Sequence, residues 1–139
     1  MSVTIFNRKI KKNIPSTRAM KEFVVKILSK EGAKGSVSII FVDDPYIRGL
    51  NKRYRKVDRE TDVLSFPLQD DFQKDFLGEI YISVERATQQ AEEYGEEFRK
   101  EIFRLITHGL LHLLGYDDRD KKGEREMREK EEKYLKAPL

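Results

Sequence analysis

The chain has 139 residues, of which 38% are hydrophobic and 38% charged, a balance that suits one folded domain whose large apolar surfaces come from eight Phe and six Tyr. It contains no cysteine, which removes disulfide scaffolds, thiolate metal sites, iron–sulfur clusters and cysteine nucleophiles together, and leaves His108 and His112 for imidazole chemistry. The net charge of +3 is unevenly spread: residues 1–30 carry eight Lys/Arg against one acidic residue, residues 46–59 carry six against one, and the remainder is acidic.

Val3–Phe6 is rich in β-formers and predicts a first strand. From Pro15 to Lys30, Met20, Phe23, Val24, Ile27 and Leu28 fall on one face at helical spacing, with Gly32 just past the end. Ser36–Val42 predicts a second strand. Asp43-Asp44-Pro45 then supplies an N-cap and an N1 proline for a helix carrying Ile47, Leu50 and Tyr54. Asp62–Phe66, stopped by Pro67, and Gly78–Ile82 predict two further strands, with a polar loop at Gln69–Asp75 between them. Ser83 caps a helix that buries Val84, Ala87 and Ala91 and ends at Gly95. The next helix starts near Glu96, buries Phe98, Ile102, Leu105, Ile106 and Leu113, and ends at Gly115. A last helix runs to about Leu135. Between Arg119 and Lys136, 14 of 18 residues are charged with both signs interleaved, which reads as an exposed helix laced by ion pairs.

This order predicts an α/β chain of the α+β type, with residues 1–139 as a single small domain of about four strands in a mixed sheet and about five helices. Met1–Ile10 lacks the apolar run of an export signal, and the longest uncharged stretch, Leu105–Tyr116, is 12 residues long, too short to span a bilayer. A cytoplasmic protein without a membrane partner is expected. If the two basic segments share a face, they form an electrostatic footprint for a polyanion such as nucleic acid.

Chemistry concentrates in Thr107–Asp118. Histidines four apart on a helix lie one turn apart on one face, where both imidazoles can bind one metal ion. Gly115 can reverse the chain so that Asp117 or Asp118 approaches the same ion, and two His with one carboxylate leave a position open, as in catalytic zinc sites. His108, His112, Gly115 and Asp118 also coincide with the frame of metzincin proteases. Gly109 stands where those enzymes keep the general-base Glu, so the peptidase mechanism lacks its proton acceptor.

The stretch H-G-L-L-H-L-L-G-Y-D-D at 108–118 closely resembles the H-G-x-L-H-L-x-G-Y-D-H signature of the YbeY family of bacterial metal-dependent endoribonucleases. Leu50-Asn51-Lys52-Arg53-Tyr54-Arg55, followed by Thr61-Asp62-Val63-Leu64-Ser65-Phe66-Pro67, resembles the family's LN-x-x-YR … T-[DN]-V-L-S-F-P block, and Leu77–Ser83 its L-G-D-I-x-I-S segment. The resemblance implies one divalent ion, most simply Zn2+, held by His108, His112 and Asp118, with Asp in place of the family's third His and Asp117 as the competing ligand or a nearby base. It also implies Arg55 as the group that holds the scissile phosphate, a place for Ser65 and Phe66 beside the metal helix, and Thr61 and Asp62 at the cleft entrance. Phe66 reads as core rather than as a stacking platform. Arg8, Lys9, Lys11 and Lys12 are candidates for RNA backbone contacts. The implied activity is hydrolysis of single-stranded RNA by a metal-bound water in ribosomal RNA maturation (the 3′ end of the small-subunit RNA) and ribosome quality control, with ribosomal RNA and subunits as partners and no DNA. Two other readings stay open: a non-catalytic RNA- or ribosome-binding factor with a structural metal, and a metallohydrolase that lacks the usual Glu.

Overall fold

Alternating apolar residues build the sheet first. In the computed structural model, which describes residues 2–67 and 75–136, the strands are β1 (Ser2–Asn7), β2 (Ser36–Val42), β3 (Val63–Pro67) and β4 (Phe76–Ser83). Their order is β1-β2-β4-β3, with β1, β2 and β4 parallel and β3 antiparallel to β4. The sheet is therefore mixed, as expected, and β3 lies at an open edge. The expected loop at Gln69–Asp75 falls outside the described residues except for Asp75, whose carbonyl accepts from the Ser36 amide.

The period of two sends each strand's side chains to two different cores. Val37, Ile39, Phe41, Ile80 and Ile82 join the main core, whereas Val42 and Leu64, with Ile40, Phe66 and Tyr81 packed beside them, form a smaller cluster around Ile47. Register aligns Ser65, Ile80 and Ile39 across three strands on the main-core face.

Five helices cover this sheet among the described residues: α1 (Thr17–Lys30), α2 (Asp44–Arg55), α3 (Val84–Tyr94), α4 (Phe98–Leu113) and α5 (Lys121–Leu135). The buried stripe of α1 is Met20, Phe23, Val24, Ile27 and Leu28, as its spacing predicts. Ser16, Asp43, Ser83 and Asp120 each accept a backbone N–H at a helix start, and Gly95 closes α3 in the left-handed conformation. Three details differ from expectation. Pro45 occupies the second position of α2, still within the turn whose amides lack helical partners; Phe98 is half-buried; and Tyr54 is mostly exposed, with Asn51 buried on α2 in its stead.

Helix α4 is the spine of the main core. Ile102, Ile106, Leu110 and Leu111 are fully buried, each contributing roughly 2 kcal/mol of hydrophobic stabilisation. It packs on β3 and β4 and against α1, α3 and α5, while α2 covers the opposite sheet face. Close approach depends on residues without side chains. A Cβ on Gly109 would sit 2.6 Å from Ile80 Cγ2, and one on Gly78 would sit 2.3 Å from the Phe66 carbonyl oxygen and 2.8 Å from Leu113. None of the described helices is long and apolar enough to cross a membrane.

Gly78 also has φ +151°, a conformation that L side chains rarely adopt. The variant Gly78→Ala is therefore expected to lose at least about 2 kcal/mol of stability, read as a lower urea midpoint at unchanged slope.

Candidate metal centre

The last two turns of α4 carry His108 and His112, and the helix period brings their Nε2 atoms to 3.1 Å. Burial of Thr107, Gly109, Leu110 and Leu111 fixes which way these turns face, so the imidazoles project from the side left half-exposed. Past Leu113 the chain reverses: the Gly115 amide donates to the His112 carbonyl, the Tyr116 amide donates to that of Leu111, and Gly115 takes φ +99°. Glu31, at the end of α1, holds this turn by accepting from the Tyr116 hydroxyl at 2.6 Å, from Lys130 at 3.0 Å and from Tyr134. Gly123 allows the turn to lie on α5, since a Cβ there would collide with the Asp117 carbonyl oxygen.

This reversal delivers Asp118. Its Oδ2 lies 3.6 Å from His108 Nε2 and its Oδ1 3.7 Å from His112 Nε2. Ligands at zinc distances of roughly 2.0–2.1 Å in a tetrahedron stand about 3.3 Å apart, so these separations fit one small divalent ion. His108, His112 and Asp118 form the one such group of three among the described residues. Asp117 points elsewhere: its carboxylate accepts from the Arg119 amide at 2.9 Å and from Arg119 Nε at 2.6 Å, and these bonds hold it below the usual carboxylate range.

A further carboxylate belongs to the centre. Glu131 Oε1, from α5, lies 3.4 Å from His108 Nδ1, on the side of the ring away from Asp118. A carboxylate there favours the proton on Nδ1 and leaves Nε2 as the free donor atom. Burial pulls the His108 pKa down, but the bond to Glu131 and the charges of Glu131, Asp62 and Asp118 outweigh it, and the net direction is up. His112 goes the other way, lowered by burial and by its neighbour His108. The interleaved charge pattern of α5 gave no sign that Glu131 differs from the carboxylates around it. A helical-wheel reading could have found it, because Met127 and Tyr134 flank it on the buried stripe.

In front of the centre lies a cleft of about 590 Å³, lined by His108, His112, Thr61, Asp62, Ser65, Arg55 and Arg59 among others. Arg55 reaches it from the end of α2 and donates from Nη2 to the Ser65 carbonyl at 2.8 Å, which ties the guanidinium to the open edge of β3. Ser65 in turn donates from Oγ to the Gly109 carbonyl at 3.1 Å, coupling that strand to the metal helix. Thr61 and Asp62 stand at the cleft wall; Phe66 is half-buried on the opposite sheet face, within the smaller cluster. Arg8 extends over the Tyr46 ring at 4.2 Å, so the first basic segment adjoins the start of α2, which carries the second.

Behind His108 a smaller cavity of about 220 Å³ is lined by Asp62, Glu101, Arg104 and Glu131. Glu101 is only 1% exposed, its Oε1 has no hydrogen-bond partner, and burial pushes its pKa up to about 7 against the opposing charge of Arg104. A carboxyl raised in the folded state binds its proton more tightly there than in the unfolded chain, so its contribution is present below its ordinary pKa and lost as pH rises through about 7. Accordingly, Glu101→Gln should gain thermal stability relative to wild type on going from about pH 5 to about pH 8, measured by unfolding of the two metal-free proteins side by side.

A family model described as endoribonuclease YbeY matches residues 4–138. A protein named Endoribonuclease YbeY from Carboxydothermus hydrogenoformans is 53% identical over 110 residues, covering 79% of this chain and 77% of that one. Its namesake from Acholeplasma laidlawii is 42% identical over 135 residues, covering 97% and 95%. The solution structure of TM1509 from Thermotoga maritima matches with a TM-score of 0.68 at 34% identity, over 96% of this chain and 86% of that one. With the family model spanning almost the whole sequence and relatives of this identity covering most of both chains, the chain belongs to the endoribonuclease YbeY family.

Proposed function

We propose that this chain, acting as one folded domain, is a metal-dependent endoribonuclease that hydrolyses phosphodiester bonds in single-stranded RNA. The observation that carries the reading is the convergence of His108, His112 and Asp118 at metal-ligand spacing beside a cleft that also holds Arg55. In this reading the ion is most simply Zn2+, which suits two imidazole nitrogens and one carboxylate oxygen with a position left open. When bound, such an ion supplies a Lewis acid for a phosphoryl oxygen and a water nucleophile at neutral pH.

The chain's own residues then divide the remaining work. Glu131 sets the His108 tautomer, and His112, its pKa depressed, presents a neutral ring. Arg55 spends one N–H on the Ser65 carbonyl, which orients the guanidinium; its other N–H groups are available to a phosphate as negative charge builds. Arg59 lines the same cleft and adds positive charge. Both histidines are committed to the ion, so Asp117 is the proposed proton acceptor; it serves only on turning away from Arg119, whose bonds hold its carboxylate outside the cleft and stabilise its ionised form. Gly109 faces Ile80 with no room for a side chain, so a base of the peptidase kind has no place beside the first histidine. Family membership supports RNA as the substrate class; as the motif resemblance implies, the proposed substrate is ribosomal RNA, the small-subunit 3′ end in particular, in the cytoplasm with ribosomal subunits as partners.

Elemental analysis paired with cleavage of a labelled single-stranded RNA tests the assignment. Wild type should carry one ion per chain, while His108→Ala and His112→Ala should lose both ion and cleavage; cleavage that survives metal loss would sink the mechanism. Asp118→Ala should weaken metal retention and Asp117→Ala should leave it intact, a reversed pattern moving the third ligand to Asp117. With the ion retained, Arg55→Ala should slow cleavage roughly a hundred-fold. RNA binding without cleavage by pure wild type would favour the non-catalytic reading, and turnover of an unstructured peptide the third one.

A further inference from the structure

A row of aromatic rings crosses the sheet face under α2. Tyr46 stands 6.3 Å from Tyr81, Tyr81 is 5.7 Å from Phe66, and Phe66 is 5.4 Å from Tyr54, measured between ring centroids. The first three rings are partly covered, while Tyr54 is 57% exposed. Guanidinium groups accompany both ends of the row: Arg8 lies over Tyr46, Arg55 is 5.6 Å from the Phe66 ring centre, and Arg53 is 6.0 Å from that of Tyr54. Tyr54 immediately precedes Arg55 and packs on Phe66, whose chain neighbours Ser65 and Pro67 line the cleft.

Tyr94 is equally exposed, at 57%, and also borders the centre, but its surroundings have the opposite charge. It lines the cavity in which Asp62, Glu101 and Glu131 outnumber Arg104, a setting that disfavours a phosphate backbone. Arg53 and Arg55 beside Tyr54 make no ion pair among the described residues. A polyanion that passes Arg55 on leaving the cleft thus meets, just outside the cleft lining, an exposed ring among cations, backed by an edge-on aromatic that fixes the ring's position.

We propose that Tyr54 is a stacking platform for an unpaired base of the RNA strand whose phosphate Arg55 holds, and that this contact contributes the preference for single strands. A base held in a duplex is already stacked on both faces and has none to offer, whereas an unpaired base gains an aromatic partner of any sequence. The role of Tyr54 rests on the endoribonuclease reading above and names the substrate feature that site selects.

The test is a fluorescence titration of the purified protein with a short single-stranded RNA carrying 2-aminopurine, with phosphorothioate linkages to slow cleavage, and with the same strand in a duplex. Wild type should quench the 2-aminopurine and bind the single strand more tightly than the duplex. Tyr54→Ala should lose the quenching and bind the single strand roughly ten-fold more weakly, Tyr54→Phe should match wild type, and Tyr94→Ala should change neither readout. Undiminished binding and quenching in Tyr54→Ala, or an equal loss in Tyr94→Ala, overturns the stacking role alone if wild type still cleaves unmodified RNA. A wild type that neither binds nor cleaves RNA overturns the endoribonuclease reading and the stacking role together.

Discussion

The contact between Gly109 and Ile80 governs the rest of the molecule. One helix must serve as the central member of the core and also present two half-exposed imidazoles at metal-ligand spacing, and these demands conflict unless its buried face lies very close to the sheet. Gly109, between the histidines, resolves the conflict by letting the α4 backbone approach β4 until the Ile80 side chain fills the space a Cβ would occupy. The same approach brings the Gly109 carbonyl within reach of Ser65, so a direct hydrogen bond ties α4 to the cleft edge. A glutamate at this position would have to enter the core, so the protease frame seen in the sequence has no room here for its general base.

Electrostatic asymmetry is the second organising feature. Glu101 and Glu131 gather behind His108 with Arg104 beside them, Asp62 stands between that cavity and the cleft, and Arg55 and Arg59 line the cleft itself. The two signs thereby act on different partners, since negative groups raise the basicity of a ligating imidazole and positive groups receive a phosphate. With Asp118 as the proposed third ligand, a bound ion and its ligands would be one unit less positive than with a histidine, and the cleft's own cations would matter more for holding an anionic substrate.

Glu31 shows how remote parts of the chain support the centre. It ends α1, far from the histidines in sequence, yet its carboxylate gathers Tyr116 from the reversing turn and Lys130 and Tyr134 from α5. Those bonds stabilise its ionised form against the cost of burial. The turn that delivers Asp118 and the helix that delivers Glu131 are thereby tied to one anchor, so the geometry around His108 depends on packing that no local motif encodes.

Local physics was legible in the chain itself. Helical spacing set the α1 stripe and put His108 and His112 on one face, the caps Asp43 and Ser83 marked the starts of α2 and α3, and Gly115 marked the reversal, because each depends on neighbours within about one turn. The motifs around Arg55 and His108 pointed to the family for the same reason, as short runs of fixed spacing. Tertiary structure alone decided which aspartate faces the histidines, since Asp117 and Asp118 are adjacent and differ only in how the turn lies on α5. It also decided that Glu131 out of a charged helix meets His108, that Glu101 is buried, and that Tyr54 is left exposed beside Arg55. Each of these depends on contacts between elements distant in sequence, where side-chain type constrains what can meet but only packing determines what does.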